Sequence, residues 1–272
     1  MENAEFKNKQ GIIVMLDALG TKNMAINEAL NFLKIRDKII TVSPDKILLM
    51  LMGKLNLLEE KELIIPRLIT FGDTMILIWE SSTSIELIYG LIGQRLMNLM
   101  KVAFQSGILL RGAISYGDFI DDGKNTILGP AINDVVSWYE MANWMGIICT
   151  PQYGFMVAKI RETSSRETSS KDLAIPRIPM PNIPKQFCSL CYINYNVPLR
   201  DGRTLPLWCI SWPLLYIDSK NENGRCSKYL FLNDLNKYLV PLGSEDKYFE
   251  TINFFDWFNE NKLYELITPS TI

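Results

Sequence analysis

Histidine is absent from all 272 residues of this chain. Because histidine is the side chain that titrates near neutral pH, its absence excludes Ser-His-Asp triads, Cys-His dyads and HExxH zinc sites together. Any catalysis must therefore use carboxylates, hydroxyls, lysine, arginine, cysteine or a bound metal ion.

Cysteine is scarce, and its spacing is uninformative. The chain has five cysteines, and the one C-x-x-C is formed by Cys188 and Cys191. A zinc site needs a second ligand pair, and no histidine can supply it. At this C-x-x-C, two buried thiols are favoured over a structural metal. An odd number of cysteines without the spacing of a disulfide framework indicates a reducing cytoplasm.

Long apolar runs and long basic runs are also missing. Stretches such as Met75–Trp79 are far too short to span a bilayer, and the segment Met1–Gln10 is polar and mixed in charge, unlike a signal peptide. The net charge is −2, which disfavours a general nucleic-acid binder. With 48% hydrophobic and 21% charged residues, the sequence predicts a globular cytoplasmic protein with neither membrane nor nucleic acid as a partner.

The hydrophobic periodicity alternates between strands and helices over the first 150 residues. The predicted elements are a strand at 11–16, helices at 23–42 and 45–62, strands at 63–70 and 75–79, a helix at 84–107, a strand at 108–116, a helix at 131–144 and a strand at 146–150. This order predicts an α+β fold of ferredoxin-like character, with an antiparallel-rich sheet and helices on one face.

The organisation changes beyond residue 150. The sequence RETSS occurs twice in succession at 161–170, and prolines follow at 176–184, so we expect a mobile loop over about 161–185. A last strand is predicted at 208–212, and the aromatic-rich stretch 227–267 indicates helices. The predicted organisation is a main domain at 1–215 and a helical C-terminal extension at 216–272.

Two aspartates stand at strand ends that this fold would make neighbours. Asp17 ends the first strand, and Asp73 lies at the tip of the predicted hairpin. Two converging carboxylates suit a pair of magnesium or manganese ions beside a triphosphate. Gly20, Thr21 and Lys22 lead into a helix and would offer groups to the phosphates. Each aspartate alone is commonly a turn residue or a helix cap, so the hypothesis rests on the pair.

Four sequence blocks in the first 150 residues resemble those of class III adenylate and guanylate cyclases. The run IIVMLDALG at 12–20 resembles the first metal-aspartate strand, F-x-D-I-x-G-F-T, and FGD at 71–73 resembles the second metal site. LRGAISYG at 110–117 is similar to R-x-G-I-x-x-G, and LGPAIN at 128–133 to W-G-x-x-V-N. The resemblance implies a class III cyclase sandwich with Asp17, Ala18 and Asp73 as metal ligands and Asn133 at the active site.

The departures from this family concern charge and base recognition. Ser137 stands where these cyclases usually carry a transition-state arginine. Ile69 and Thr126 stand at the two positions that read adenine, so purine recognition by the usual pair is unsupported. Arg111 is the first candidate for the missing cation and Lys22 the second, although Arg111 is equally well interpreted as a structural arginine.

With these departures, the stretches WMGI at 144–147 and ISWP at 210–213 resemble the Pycsar-type pyrimidine cyclases of bacterial antiphage defense. That resemblance implies a manganese-dependent homodimer with two ions per site, which converts UTP or CTP to cyclic UMP or cyclic CMP. The product would activate a separately encoded effector. Uridylate is weakly preferred over cytidylate.

Other functions remain open at this point. A catalytically inactive cyclase-like domain that binds a nucleotide or partner is favoured by Ser137 and disfavoured by retention of Asp17 and Asp73. A purine cyclase is a further alternative. A palm-type polymerase or diguanylate cyclase normally has two adjacent acidic residues at the hairpin, whereas Thr74 follows Asp73 here. A purely structural or interaction protein is also possible.

Overall fold

The computed structural model describes residues 6–21, 25–41, 66–80, 85–123, 126–166, 190–217, 225–237 and 243–263. Its strands are β1 (Lys7–Ala18), β2 (Arg67–Phe71), β3 (Thr74–Glu80), β4 (Leu110–Asp121), β5 (Ile127–Leu128), β6 (Ile147–Cys149), β7 (Tyr192–Pro198) and β8 (Thr204–Ile210). Its helices are α1 (Ile26–Thr41), α2 (Ile85–Ser106), α3 (Pro130–Trp138), α4 (Pro151–Arg166), α5 (Lys228–Leu235) and α6 (Glu245–Glu260), with a 3₁₀ helix at Trp212–Tyr216.

The first six elements form a ferredoxin-like unit. Their order is β1-α1-β2-β3-α2-β4, and the strands lie side by side as β2-β3-β1-β4 with every pair antiparallel. This is the β-α-β-β-α-β arrangement that the sequence predicts, so the α+β fold class is confirmed. The predicted helix at 45–62 lies outside the described residues.

The sheet continues beyond β4. β6 pairs in parallel with β4, β8 is antiparallel to β6, and β7 forms the far edge beside β8. The predicted strand at 208–212 corresponds to β8, which begins earlier, at Thr204. Its partner β7 was not predicted, although its sequence YINYNVP alternates in the manner of a strand.

The two central strands, β1 and β4, run through the core. Consecutive residues from Gly11 to Val14 and from Leu110 to Ser115 are buried. Because neighbouring side chains of a strand point to opposite faces, both faces of these strands are covered at this level. Asp17 lies just beyond this buried segment, where β1 ends and β4 begins.

Several predicted boundaries are wrong. β4 does not stop at Gly117 but continues to Asp121, since its pairing with β1 runs as far as Lys7. α3 ends at Trp138, not at residue 144, and tight turns follow it. The start of the expected loop at 161–166 is the last part of α4, whereas residues 167–189 lie outside the described residues.

The described C-terminal residues are helical and pack on the main part of the chain. Phe231 of α5 and Phe254 and Phe255 of α6 are fully buried around Trp212. Phe231 also meets Phe104 of α2 at 5.8 Å between ring centroids. Burying several aromatic rings in one cluster is a large hydrophobic contribution, so these helices are fixed relative to the sheet.

The described cysteines are Cys149, Cys191, Cys209 and Cys226, and all four are buried free thiols. Cys188, the other half of the C-x-x-C, lies outside the described residues. No helix within the described ranges has the length and apolar character needed to cross a membrane.

Candidate active site

Asp17 lies between two partners at the end of the central strand. Its cross-strand neighbours are Thr74 of β3 and Arg111 of β4. Its side chain is only 13% exposed. The residue is therefore held by hydrogen-bonded strands on both sides, as a precisely positioned carboxylate requires.

Asp73 lies beside Asp17, as the sequence predicts. It occupies the two-residue turn between β2 and β3 and directly precedes Thr74, the cross-strand neighbour of Asp17. Gly72, the other turn residue, has φ of 61°, a left-handed conformation that glycine adopts without strain. The glycine thus permits the tight hairpin that brings the second carboxylate to the first.

The loop after β1 contacts Asp73 through Thr21. Gly20 has φ of 86°, and this turn returns Thr21 towards the hairpin. The Thr21 hydroxyl hydrogen-bonds the Asp73 carboxylate and lies 3.4 Å from the main-chain oxygen of Ala18. Of the three residues predicted to contact phosphates, Gly20 and Thr21 are therefore at the site, and Lys22 lies outside the described residues.

Arg111 is not a free cation in this structure. Its Nη2 and Nε donate to Asp17 Oδ2 at 2.9 and 3.1 Å, and Nη2 also lies 3.2 Å from Glu140 Oε1. Nη1 donates to the main-chain oxygen of Glu140 at 3.4 Å. The guanidinium is nearly buried, with 7% of the side chain exposed. Arg111 thus positions Asp17, and its contact with any substrate stays a prediction.

The surroundings of Asp17 do not fully compensate its negative charge. Burial raises the pKa of Asp17, and the charges of Asp73 and Glu140 raise it further. The hydrogen bonds and charge of Arg111 oppose this rise without cancelling it. A carboxylate with a raised pKa carries its negative charge unfavourably, so a further cation at this position would stabilise it.

The available ligand atoms fit a hard divalent cation. Within the described ranges, no group of three or more acidic or cysteine side chains forms a metal site. The donors at this edge are instead the carboxylates of Asp17 and Asp73, the carbonyl of Ala18 and the hydroxyl of Thr21. All are oxygens, the ligands that magnesium and manganese prefer.

The remaining predicted residues lie away from this pair. Ile69 is half-buried on β2 and pairs with Ile76. The main-chain oxygen of Thr126 accepts from the N–H of Asp122, at the far end of β4 from Arg111. Asp122 follows Arg111 by eleven residues, which at about 3.3 Å per residue corresponds to roughly 35 Å. One subunit therefore does not bring Thr126 to Asp17.

Asn133 is exposed on α3, and its side chain makes no hydrogen bond to either aspartate in the described part of the chain. Its main-chain oxygen accepts from the Ser137 hydroxyl at 2.7 Å, so Ser137 only bonds its own helix.

Sequence reasoning missed Glu140 and Arg200. Glu140 follows α3 and accepts from Arg111 and, at 3.1 Å, from Arg200 Nη1. Neither residue belongs to a recognisable motif, and they meet only because the β7–β8 hairpin folds against the segment after α3. No signal in the sequence could have identified this pair.

No protein-family model and no curated protein matches the chain. Among solved structures, it is similar to the adenylyl cyclase CyaB from P. aeruginosa, with 9% identity over 76% of this chain and 95% of that chain and a TM-score of 0.40. It is also similar to the non-canonical dimeric guanylyl cyclase domain of the RhoGC fusion protein from the aquatic fungus Blastocladiella emersonii, with 9% identity, coverages of 76% and 97% and a TM-score of 0.44.

The catalytic core of a rhodopsin-guanylyl cyclase with converted specificity, solved in complex with ATPalphaS, has 8% identity, coverages of 76% and 98% and a TM-score of 0.42. These similarities are too distant to assign a function.

Proposed function

We propose that this chain is a divalent-metal-dependent nucleotidyl cyclase that converts UTP or CTP to a 3′,5′-cyclic mononucleotide and pyrophosphate. The observation that supports this most is the position of Asp17 and Asp73. Asp73 directly precedes Thr74, the cross-strand neighbour of Asp17, and the charge of Asp73 raises the pKa of Asp17. The four sequence blocks that resemble class III cyclases add support, because two of them contain these aspartates.

In this proposal Asp17, Asp73 and the carbonyl of Ala18 hold two manganese or magnesium ions. When bound, such ions lower the pKa of the ribose 3′-hydroxyl and neutralise charge on the leaving pyrophosphate. Gly20 and Thr21 lie in the turn beside these ligands and are the candidates for contacts with the phosphates. Arg111 keeps Asp17 oriented through two hydrogen bonds.

The reaction needs placement more than covalent chemistry. The ribose 3′-oxygen loses its proton to solvent and forms a bond to the α-phosphorus. The bond from that phosphorus to the oxygen bridging the α- and β-phosphates breaks, and pyrophosphate leaves with the electron pair. An in-line displacement of this type depends on orientation and charge stabilisation. The absence of histidine is therefore no obstacle.

The proposed pyrimidine specificity, with UTP preferred, rests on the resemblance to Pycsar-type cyclases and is supported by the sequence departures at Ile69 and Thr126. Neither side chain supplies the lysine or carboxylate with which purine cyclases read adenine. The proposed role is synthesis of a second messenger for antiphage defense, acting through a separate cyclic-nucleotide-activated effector. Both parts rest on the resemblance to Pycsar-type cyclases.

A two-fold homodimer completes this proposal. Thr126 lies roughly 35 Å from Arg111 along β4, beyond the reach of one nucleotide held at Asp17. Two copies related by a two-fold axis would build two equivalent sites, each with Asp17 and Asp73 from one copy and Asn133 from the other. The division into a catalytic domain at 1–215 and an extension at 216–272 also stays a proposal.

A second candidate is a cyclase-like domain that binds a nucleotide without turnover. The ion pair between Arg111 and Asp17 favours it, because the guanidinium occupies one oxygen of a proposed metal ligand. Ser137, where cyclases carry an arginine, favours it too. The two candidates differ in whether a cyclic product is formed.

The test is incubation of the purified protein with each of the four ribonucleoside triphosphates and manganese, followed by mass spectrometry of the products. We expect cyclic UMP or cyclic CMP from the wild type and none from the Asp73→Asn variant. The matched control is Asp118→Asn, an exposed aspartate near the other end of β4, which should retain full activity.

Binding without product in the wild type would establish the inactive candidate. Cyclic AMP or cyclic GMP as the main product would contradict pyrimidine specificity. Unchanged product from Asp73→Asn would show that the chemistry takes place elsewhere.

A further inference from the structure

The segment from Glu140 to Met145, which follows α3 beside Arg111, is enclosed by two elements from the C-terminal half of the chain. On one side lies the β7–β8 hairpin: the N–H of Arg200 donates to the main-chain oxygen of Met141 at 2.9 Å, and Leu199 forms an isolated bridge with Ala142. These backbone contacts fix the position of Arg200 close to the active site.

On the other side lies the first part of α6. The main-chain N–H of Met145 donates to the Thr251 hydroxyl oxygen at 2.8 Å, and this contact is buried. The Thr251 hydroxyl in turn donates to the main-chain oxygen of Lys247 at 2.6 Å. One threonine therefore ties the helical turn that contains Lys247 to the segment that carries Glu140.

These contacts place Lys247 on a helical turn that packs against the segment carrying Glu140, the carboxylate that Arg111 and Arg200 share. Arg111 and Arg200 both contact Glu140, at 3.2 and 3.1 Å. Lys247 is half-buried, and in the described part of the chain no carboxylate lies within 4.0 Å of its ammonium. Partial burial and the positive charges of Arg111 and Arg200 lower the pKa of Lys247, and the carboxylates of Asp246 and Glu245 oppose this shift without cancelling it.

Such crowding costs free energy in the unliganded protein, because like charges repel in a partly desolvated setting. A polyanion would offset this cost, since it would accept charge-assisted hydrogen bonds from several cations at once. The cluster also adjoins Asp17 through Arg111, and thus lies where the phosphates of a nucleotide held at the aspartate pair would need cations.

We infer that Arg111, Arg200 and Lys247 form a polyphosphate subsite, in which Lys247 of the C-terminal helix binds the terminal phosphates of the substrate. The identity of the substrate as a nucleoside triphosphate rests on the proposed function. The subsite supplies positive charge that Ser137 does not. It also makes α6 part of the active site and not only a support for the sheet.

The experiment is isothermal titration of the full-length protein with inorganic tripolyphosphate in chelator-treated buffer. Wild-type protein should bind, and Lys247→Gln should bind about tenfold more weakly, because a charge-assisted hydrogen bond is lost. Lys247→Arg should retain most of the affinity. Arg200→Gln, at a half-exposed side chain, should show a similar loss and gives a second variant with little risk to folding.

The matched control is Lys228→Gln, in the same C-terminal part of the chain. Lys228 pairs at 2.6 Å with Asp256, which follows Lys247 by nine residues and thus lies roughly 13 Å further along α6. This variant should bind within about twofold of wild type, since an exposed ion pair away from the subsite contributes little. Circular dichroism spectra and melting temperatures establish that each variant is folded.

Absence of tripolyphosphate binding by the wild type, or equal affinity in the wild type and both Gln variants at Lys247 and Arg200, would overturn the inference. Because tripolyphosphate contains no ribose, its binding does not depend on turnover. Binding that requires Lys247 in a protein that makes no cyclic product would refute the proposed function and leave the subsite standing. If Lys247→Gln left cyclase activity unchanged, the polyphosphate subsite would be refuted and the proposed function would stand.

Discussion

The two ends of the β1–β4 strand pair hold aspartates in opposite electrostatic states. Asp121, paired in register with Lys7, is fully buried and contacts Lys9 Nζ at 2.9 Å, the Arg67 guanidinium and the Gly123 N–H at 2.8 Å. Burial raises the pKa of Asp121, but these hydrogen bonds lower it more, to about 2. Asp121 is thus stabilised as an anion and has no need of a further cation.

Among the residues that the structure describes, Asp17 has one cationic partner, Arg111, which it shares with Glu140, and it has Asp73 as a neighbour. The pKa of Asp17 is therefore raised, although both aspartates lie on the same pair of strands. An aspartate at a strand end is therefore a candidate for cation binding only when its surroundings leave its negative charge undercompensated. The Asp121 end supports the fold, and the Asp17 end is where a cation would bind.

The largest expected effect is on activity at the Asp17 end. Asp17→Asn should lower cyclase activity with manganese by at least about 100-fold, because a metal ligand lost from this site removes several kcal/mol of transition-state stabilisation. Its unfolding free energy should change little, since the fold already disfavours the charged form of Asp17. Product formation per folded molecule is the measurement, and near wild-type turnover would remove Asp17 from the site.

At the Asp121 end a smaller effect is expected, on the stability of the fold and not on activity. Asp121→Asn should lower the unfolding free energy by about 2 kcal/mol, because it leaves Lys9 and Arg67 without their shared, charged acceptor. Urea denaturation measures this loss, and activity per folded molecule should be unchanged. An unaltered denaturation midpoint would mean that Asp121 is no better compensated than Asp17.

The smallest expected effect is the dependence of that stability difference on pH. The folded-state pKa of Asp121, about 2, lies below its ordinary value of 3.8. Its ionised form therefore stabilises the fold above about pH 4, and this contribution is lost as the pH falls towards 2. The difference in unfolding free energy between the wild type and Asp121→Asn should therefore decrease as the pH falls from about 4 to about 2, as measured by urea denaturation at each pH. A difference in unfolding free energy that increases as the pH falls would contradict the lowered pKa of Asp121.

The sequence was sufficient for the elements whose local pattern is strong. The FGD turn between two β-rich runs located the hairpin of β2 and β3, and the long apolar face located α2. Boundaries were less well predicted where tertiary contacts extend or end an element. β4 passes through Gly117 because pairing with β1 continues there, and α3 stops at Trp138 because the following turns meet the β7–β8 hairpin.

At the candidate site, the sequence was enough to predict the two aspartates and the glycine of the hairpin turn that brings Asp73 to Asp17, because those features depend on strand ends and a tight turn. The pairing of Arg111 with Asp17, and the contacts of Glu140 with Arg111 and Arg200, depend on the tertiary structure. These residues come from segments far apart in the chain. Their spacing in the sequence carries no periodic signal, and their proximity is set by packing of the C-terminal elements on the sheet.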